Sequence, residues 1–102
     1  MRFDGTEGGP IPLKEGAEMT ATFRRKMPKE VKGAFFGKDI LNKILAQDGC
    51  MGIRMYFALD REGVLKLVLA GADAETNDML DLVANISIPC PNVCGKQNPL
   101  NS

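Results

Sequence analysis

Apolar and polar residues alternate along residues 50 to 59 (CMGIRMYFAL), placing Ile53, Met55, Phe57 and Leu59 on one side and Arg54, Tyr56 and Ala58 on the other. A period of two is that of a β-strand with one face buried. Residues 64 to 72 (VLKLVLAGA) repeat it, with Leu65, Leu67 and Leu69 on one face and Lys66 on the other. Asp60-Arg61-Glu62-Gly63 lies between the two segments and predicts the turn of a β-hairpin. A two-residue loop at Arg61-Glu62 would set Phe57 opposite Lys66 and mix the faces. A type I turn with Gly63 left-handed in a G1 bulge shifts the pairing by one. The expected partners are then Phe57 with Leu65, Met55 with Leu67 and Ile53 with Leu69. A one-residue slip would expose a whole apolar row, so burial favours a register that joins the two rows.

Two other segments carry helical spacing. From Pro12 onward, Leu13, Ala17, Thr20, Phe23 and Met27 fall near one face, with Met19 at its margin. Pro12 suits the first helical position, where its missing N–H has no intrahelical partner. Glu15 and Glu18 lie early and Arg24, Arg25 and Lys26 late, which complements the helix dipole. Pro28 ends this helix by disfavouring α geometry in the residue before it, and Gly16 weakens it by about 1 kcal/mol relative to alanine. Residues 29 to 37 (KEVKGAFFG) read as a connector that carries Val31, Phe35 and Phe36. A second helix is expected from Lys38 to Gln47, with Ile40, Leu41, Ile44 and Leu45 as its apolar stripe, Gly37 at its start and Gly49 as a left-handed stop. Residues 79 to 88 (MLDLVANISI) open with helical spacing and close with alternation, which predicts a short helix and then a third strand stopped by Pro89. A two-stranded ribbon is not stable alone in water, so the helices should cover its apolar face. The expected fold class is α+β, two helices packed on one face of a small antiparallel sheet centred on the hairpin. One domain is expected over residues 12–95, with a flexible leader over 1–11 and a flexible tail over 96–102.

Composition narrows the function classes. The chain of 102 residues leaves no room for two domains, and 44% hydrophobic with 25% charged residues is ordinary for a globular protein. Thirteen basic residues balance thirteen acidic ones, so nucleic acid is not an expected partner and nothing draws the chain to a membrane. The charges are unevenly placed. Arg24, Arg25, Lys26, Lys29, Lys32, Lys38 and Lys43 crowd one stretch, whereas Asp60, Glu62, Asp73, Glu75, Asp78 and Asp81 crowd another. Such asymmetry marks either a binding face or two solvated faces. No apolar run approaches the roughly 18 residues of a membrane span. Residues 1 to 10 lack the apolar stretch of a secretory signal, which points to a cytoplasmic protein unless another route exports it.

The chain has no histidine, which removes the commonest general base, the Ser-His and Cys-His nucleophiles, and the commonest transition-metal ligand. Neither a GxxxxGKS/T loop nor a GxGxxG turn occurs. The most distinctive piece is Pro89-Cys90-Pro91-Asn92-Val93-Cys94-Gly95. Cys90 and Cys94, with Cys50 as a third ligand, could hold zinc if a carboxylate or a second subunit completed the set. Cys90 and Cys94 could instead form a reversible disulfide, or all three could serve as small apolar side chains. Residues 73 to 78 (DAETND) open like a calcium loop but place Asp78 where glycine is needed and Ala84 where glutamate is needed, so a solvated turn is expected. The second face of the hairpin, with Arg54, Tyr56 and Lys66 beside Val68, offers an amphipathic surface for a partner.

Four pieces of the chain also carry a resemblance. They are Phe36-Gly37-Lys38-Asp39-Ile40-Leu41, Gly49-Cys50-Met51-Gly52-Ile53-Arg54-Met55-Tyr56, Leu67 to Asp73, and Pro89-Cys90-Pro91-Asn92-Val93-Cys94. Over residues ~12 to 95 these make the chain resemble a small uncharacterised bacterial protein family, marked by a Gly-Cys-x-Gly-Ile-Arg strand and a C-terminal Pro-Cys-Pro-x-x-Cys motif. The resemblance implies the extent of the domain and no activity. The spacing of one central and two late cysteines is also similar to A-type iron–sulfur carriers, which end in C-x-C-G where this chain has three residues between Cys90 and Cys94. The missing catalytic apparatus and the narrow sheet lead to one functional expectation, a non-catalytic binding or accessory protein that contacts a protein partner or its own copies. The rival is a thiol-based metal or redox function.

Overall fold

The computed structural model describes residues 1–102. Its elements in chain order are α1 (Leu13–Lys26), β1 (Gly33–Phe35), α2 (Lys38–Leu45), β2 (Cys50–Leu59), β3 (Leu65–Asp73), β4 (Asp78–Ala84) and β5 (Ile88–Cys90). Strands β2, β3 and β4 form an antiparallel sheet in that order, and β1 pairs with β5 in a separate ribbon. The fold is α+β, centred on the β2–β3 hairpin.

The hairpin turn is the expected type I turn with a G1 bulge. Gly63 N–H donates to Asp60 O at 3.0 Å, Asp60 N–H donates to Val64 O at 3.0 Å, and Gly63 has φ +81°. The register is two residues away from the one expected, with Leu59 opposite Leu65, Phe57 opposite Leu67 and Met55 opposite Leu69. The bulge adds a residue to the loop and moves the pairing outward from the turn, not inward. Because the slip is by two, side-chain parity survives and Phe57 and Leu65 still share a face.

A second hairpin repeats this design. Asp73 N–H donates to Asn77 O and Thr76 N–H to Asp73 O, both at 3.0 Å, while the Asp73 carboxylate accepts the N–H groups of Glu75 and Asn77 at 2.9 Å. The Asp60 carboxylate does the same for Glu62 and Val64 at 2.8 and 2.9 Å. The place of Gly63 is taken by Thr76, at φ +69°. That conformation is unfavourable for a β-branched residue by about 1–2 kcal/mol, and the turn's hydrogen bonds hold it. This turn sends the chain back along β3, so residues 79 to 83 form a strand and not the expected helix. Their helix-like spacing comes from a bulge: Met79 opposes Gly71 and Val83 opposes Ala70, and the residues between them arch away and reset the alternation. Pro89 does not stop the next strand. It sits inside β5 opposite Ala34, in a two-stranded ribbon whose outer edge needs no N–H donor. The connector thus contributes a strand, β1, that its composition did not suggest.

Both helices lie where expected, with small offsets. Pro12 is the extended cap before α1, its carbonyl accepting Glu15 and Gly16 N–H at 3.0 and 3.2 Å. Helix α2 stops at Leu45 because the Gln47 side chain donates to Ile44 O at 2.9 Å, and Gly49 at φ +82° turns the chain into β2. Ile44 of α2 and Leu69 of β3 are fully buried, and Ala70 and Ala72 are buried on the opposite face of β3. The core is therefore the crossing of α2 over β3. Helix α1 buries no residue and lies across an open groove from the other end of the same sheet face. No helix is long and apolar enough to cross a membrane.

Candidate functional site

The apolar face of the hairpin is covered at one end only. Toward Ile53, Leu69 and Gly71 it meets α2; toward the turn it opens into a groove of about 300 Å³. Met19 and Phe23 of α1 line one wall, Phe57, Leu65 and Leu67 the other, and Val31 and Ala34 contribute from the connector and β1. The alternation that makes β2 and β3 amphipathic sends Phe57 to this face, yet the side chain is 83% exposed. Met55 and Leu59 beside it and Met19 across from it are exposed as well. The outer edge of β2 is also bare: no backbone hydrogen bond outside the ladder to β3 reaches residues 51 to 59. The sequence showed the apolar rows of this surface but not that α1 would leave them open.

The opposite face gathers Arg54, Tyr56 and Lys66 as their register requires, Arg54 opposing Ala70, Tyr56 opposing Val68, and Lys66 opposing Ala58. Arg54 and Tyr56 both donate to the Asp78 carboxylate, from β4 two strands away. Arg54 also donates to Thr76 O at 3.2 Å and lies 5.3 Å from the centre of the Phe3 ring. Lys66 is separate, 3.9 Å from an Asp60 carboxylate oxygen. Asp78 was the member that sequence reasoning placed only in a solvated turn; no local signal ties it to Arg54, because β3 lies between them. The Tyr56 hydroxyl bond, and then Arg54, hold the Asp78 carboxyl below its ordinary value, and the same bond to Asp78 pushes the Tyr56 phenol up. The stabilisation carried by a depressed carboxylate is present above its unfolded pKa, about 3.9, and is lost as pH falls through the folded value. For the raised phenol it is present below about pH 10 and is lost as pH rises through the folded value. Thermal melts across pH should show an acid limb and an alkaline limb, and Asp78→Asn should flatten both. Unchanged limbs in that variant would show that the triad does not couple to folding. With each partner occupied by another, this face has the character of a brace between the two hairpins.

The three cysteines do not form one cluster. Cys90 and Cys94 are joined as a disulfide, whereas Cys50 is free at the start of β2, its thiol donating to Gly52 O at 3.2 Å. No three His, Cys, Asp or Glu side chains are gathered into a group able to hold a metal ion. Bonded to each other, Cys90 and Cys94 present no thiolates to zinc. The disulfide instead closes the loop between β5 and the last residues. Those residues reach back to α1, where Arg24 donates to Leu100 O at 2.8 Å and Leu100 packs over Gly16, and to the connector before β1, where Lys32 donates to Asn101 O at 2.8 Å. Compared with known protein families, with curated proteins and with solved structures, the chain matches none.

Proposed function

We propose that the protein works by protein–protein contact and not by catalysis, and that the open apolar side of the hairpin is its working surface. One observation carries this reading. The chain exposes 7742 Å² of surface at a mass of 11.1 kDa, whereas a folded monomer of that mass exposes about 5,650 Å². Its radius of gyration of 15.1 Å likewise exceeds the roughly 13 Å of a compact chain of this length. Part of the excess belongs to the extended residues 1–12; its apolar part includes Met19 on α1 and Met55, Phe57 and Leu59 on β2, beside other exposed apolar side chains on β1, on β4 and around β5. Contiguous apolar surface of this kind is what a partner removes from water. The absence of histidine supports the non-catalytic half of the reading. Oxidative footprinting in the producing cell tests it. Met55 and Met19 should be protected there relative to the purified protein at high dilution. Equal labelling in both settings would refute a contact surface on this side.

A second reading has its own observation, the Cys90–Cys94 disulfide. Disulfides persist in oxidising compartments and are rare in a reducing cytosol. A cytoplasmic location therefore goes with a reversible, redox-responsive clasp, and an oxidising one with a structural staple. Either way the bond ties β5 to the segment that holds α1. Mass spectrometry of protein alkylated at harvest distinguishes them, and three alkylated cysteines with an unaltered fold would remove the thiol reading.

A further inference from the structure

We infer that the Cys90–Cys94 disulfide is a redox-sensitive latch on α1, and that its reduction frees this helix, with one wall of the groove, while the three-stranded sheet stays folded. The inference rests on the thiol reading of Cys90 and Cys94 and adds what the bond controls. Helix α1 needs an outside anchor. None of its 14 residues is fully buried, and its contact with the strands and with α2 is sparse. A helix this short is marginal in water on its own. The anchor is the C-terminal segment. Arg24 donates to Leu100 O at 2.8 Å, and the Leu100 side chain packs over Gly16. In the connector, Lys32 Nζ donates to Asn101 O at 2.8 Å. Arg24 and Lys32 both line the groove beside Phe57, so the segment fixes two of its walls.

The segment itself hangs on the disulfide. Gly95 and Lys96 follow Cys94 directly, and their carbonyls accept the Asn101 side chain at 3.3 and 3.2 Å, which gathers residues 95–101 into one unit. Apart from those to Arg24 and Lys32, the hydrogen bonds of residues 95–102 are all internal. The remaining tie beyond the chain itself is the bond from Cys94 to Cys90 of β5. Cys90 is well held, because β5 pairs with β1 and the Lys32 N–H donates to Cys90 O. Cys94 is exposed and Cys90 only half-buried, so a dithiol reductant reaches the outer sulfur. Its thiolate attacks Cys94 Sγ, the S–S bond breaks, and Cys90 leaves as a thiolate that takes up a proton. The reductant's second thiolate then attacks its own sulfur in the mixed disulfide and releases Cys94, which is protonated in turn. Two electrons and two protons have passed to the protein, and the reductant has closed to a disulfide. With the ring open, holding Leu100 on α1 costs the loop-closure entropy that the bond had removed.

Hydrogen exchange of the full-length protein with and without dithiothreitol, read by mass spectrometry, tests the latch. After reduction the amides of α1 should exchange up to about 30-fold faster, the worth of closing a ring this short. Those of β2 and β3 should keep their protection. Cys94→Ser should reproduce the effect without reductant, and Cys50→Ser should not, since Cys50 is outside the bond. Leu100→Ala keeps the disulfide and removes the packing over Gly16, so it should loosen α1 in the oxidised protein and tests the anchor even where the cysteine variant does not fold. Unchanged α1 exchange after full reduction, loss of protection in β2 and β3 together with α1, or an α1 indifferent to Leu100→Ala would each overturn the inference. A bond that dithiothreitol leaves intact would refute the redox-responsive reading and the latch with it. A reduced protein whose α1 stays protected would refute the latch alone.

Discussion

Leu69→Ala should cost about 2–5 kcal/mol, the range for emptying a fully buried leucine site, and leave the protein marginal or unfolded at room temperature. Domains of this size have only about 5–15 kcal/mol to lose. The expectation is strong here because the core is small: Leu69 and Ile44 are the only large side chains completely removed from water. Leu69 sits in the central strand, flanked by Met55 on β2 and Ala84 on β4. Strands on both sides hold the backbone in place, so the site cannot collapse around the void. Urea denaturation should show the midpoint falling sharply, with Ile44→Ala close behind. Leu80→Ala is the control, since Leu80 lies on the arch of β4 and is exposed. That change should stay within about 0.5 kcal/mol. A Leu69→Ala protein as stable as Leu80→Ala would mean that the core lies elsewhere.

The same centre explains what the sequence could and could not reveal. Strands β2 and β3 were legible because each alternates cleanly, and Gly63 marked its turn because only a left-handed residue completes a G1 bulge. A turn at residues 73 to 78 was legible but its hairpin geometry was not, because Thr76 occupies the left-handed position and its type gives no hint of that backbone. Without that geometry, Met79, Leu80 and Val83 spaced themselves like a helix, and the bulge that produces the spacing exists only in the pairing with β3. β1 and β5 were hidden for a related reason. Each is three residues long and owes its extended form to the other, a non-local pairing that no window on the chain contains. At the candidate site, the identity of the apolar side chains was readable and their exposure was not. A pattern shows which face avoids water, and whether its cover comes from the same chain or another depends on where α1 is carried by its connector.

Gly71→Ala should destabilise the protein by about 1–3 kcal/mol, the range for overpacking a filled site. An added methyl group there meets Cys50 Sγ and Gln47 Nε2 at 2.9 Å and Ile44 Cγ2 at 3.3 Å. Two opposing effects decide the sign. Alanine restricts the unfolded chain more than glycine and by itself would stabilise by about 0.4–1 kcal/mol. Against this, none of the three neighbours is free to retreat. Gln47 caps α2 through Ile44 O, Ile44 is the fully buried residue of that helix, and Cys50 opens β2. Steric crowding should therefore win, lifting α2 from β3. Removing the sulfur gives the check. In a Cys50→Ala background the penalty of Gly71→Ala should shrink, with a coupling of about 0.5–3 kcal/mol in a double-mutant cycle. A stabilising Gly71→Ala would show that α2 does not sit against β3. The consequence would reach the groove as well, because α2 closes one end of the apolar face whose other end is left for a partner, and without that closure the opening near Phe57 would not be a bounded site.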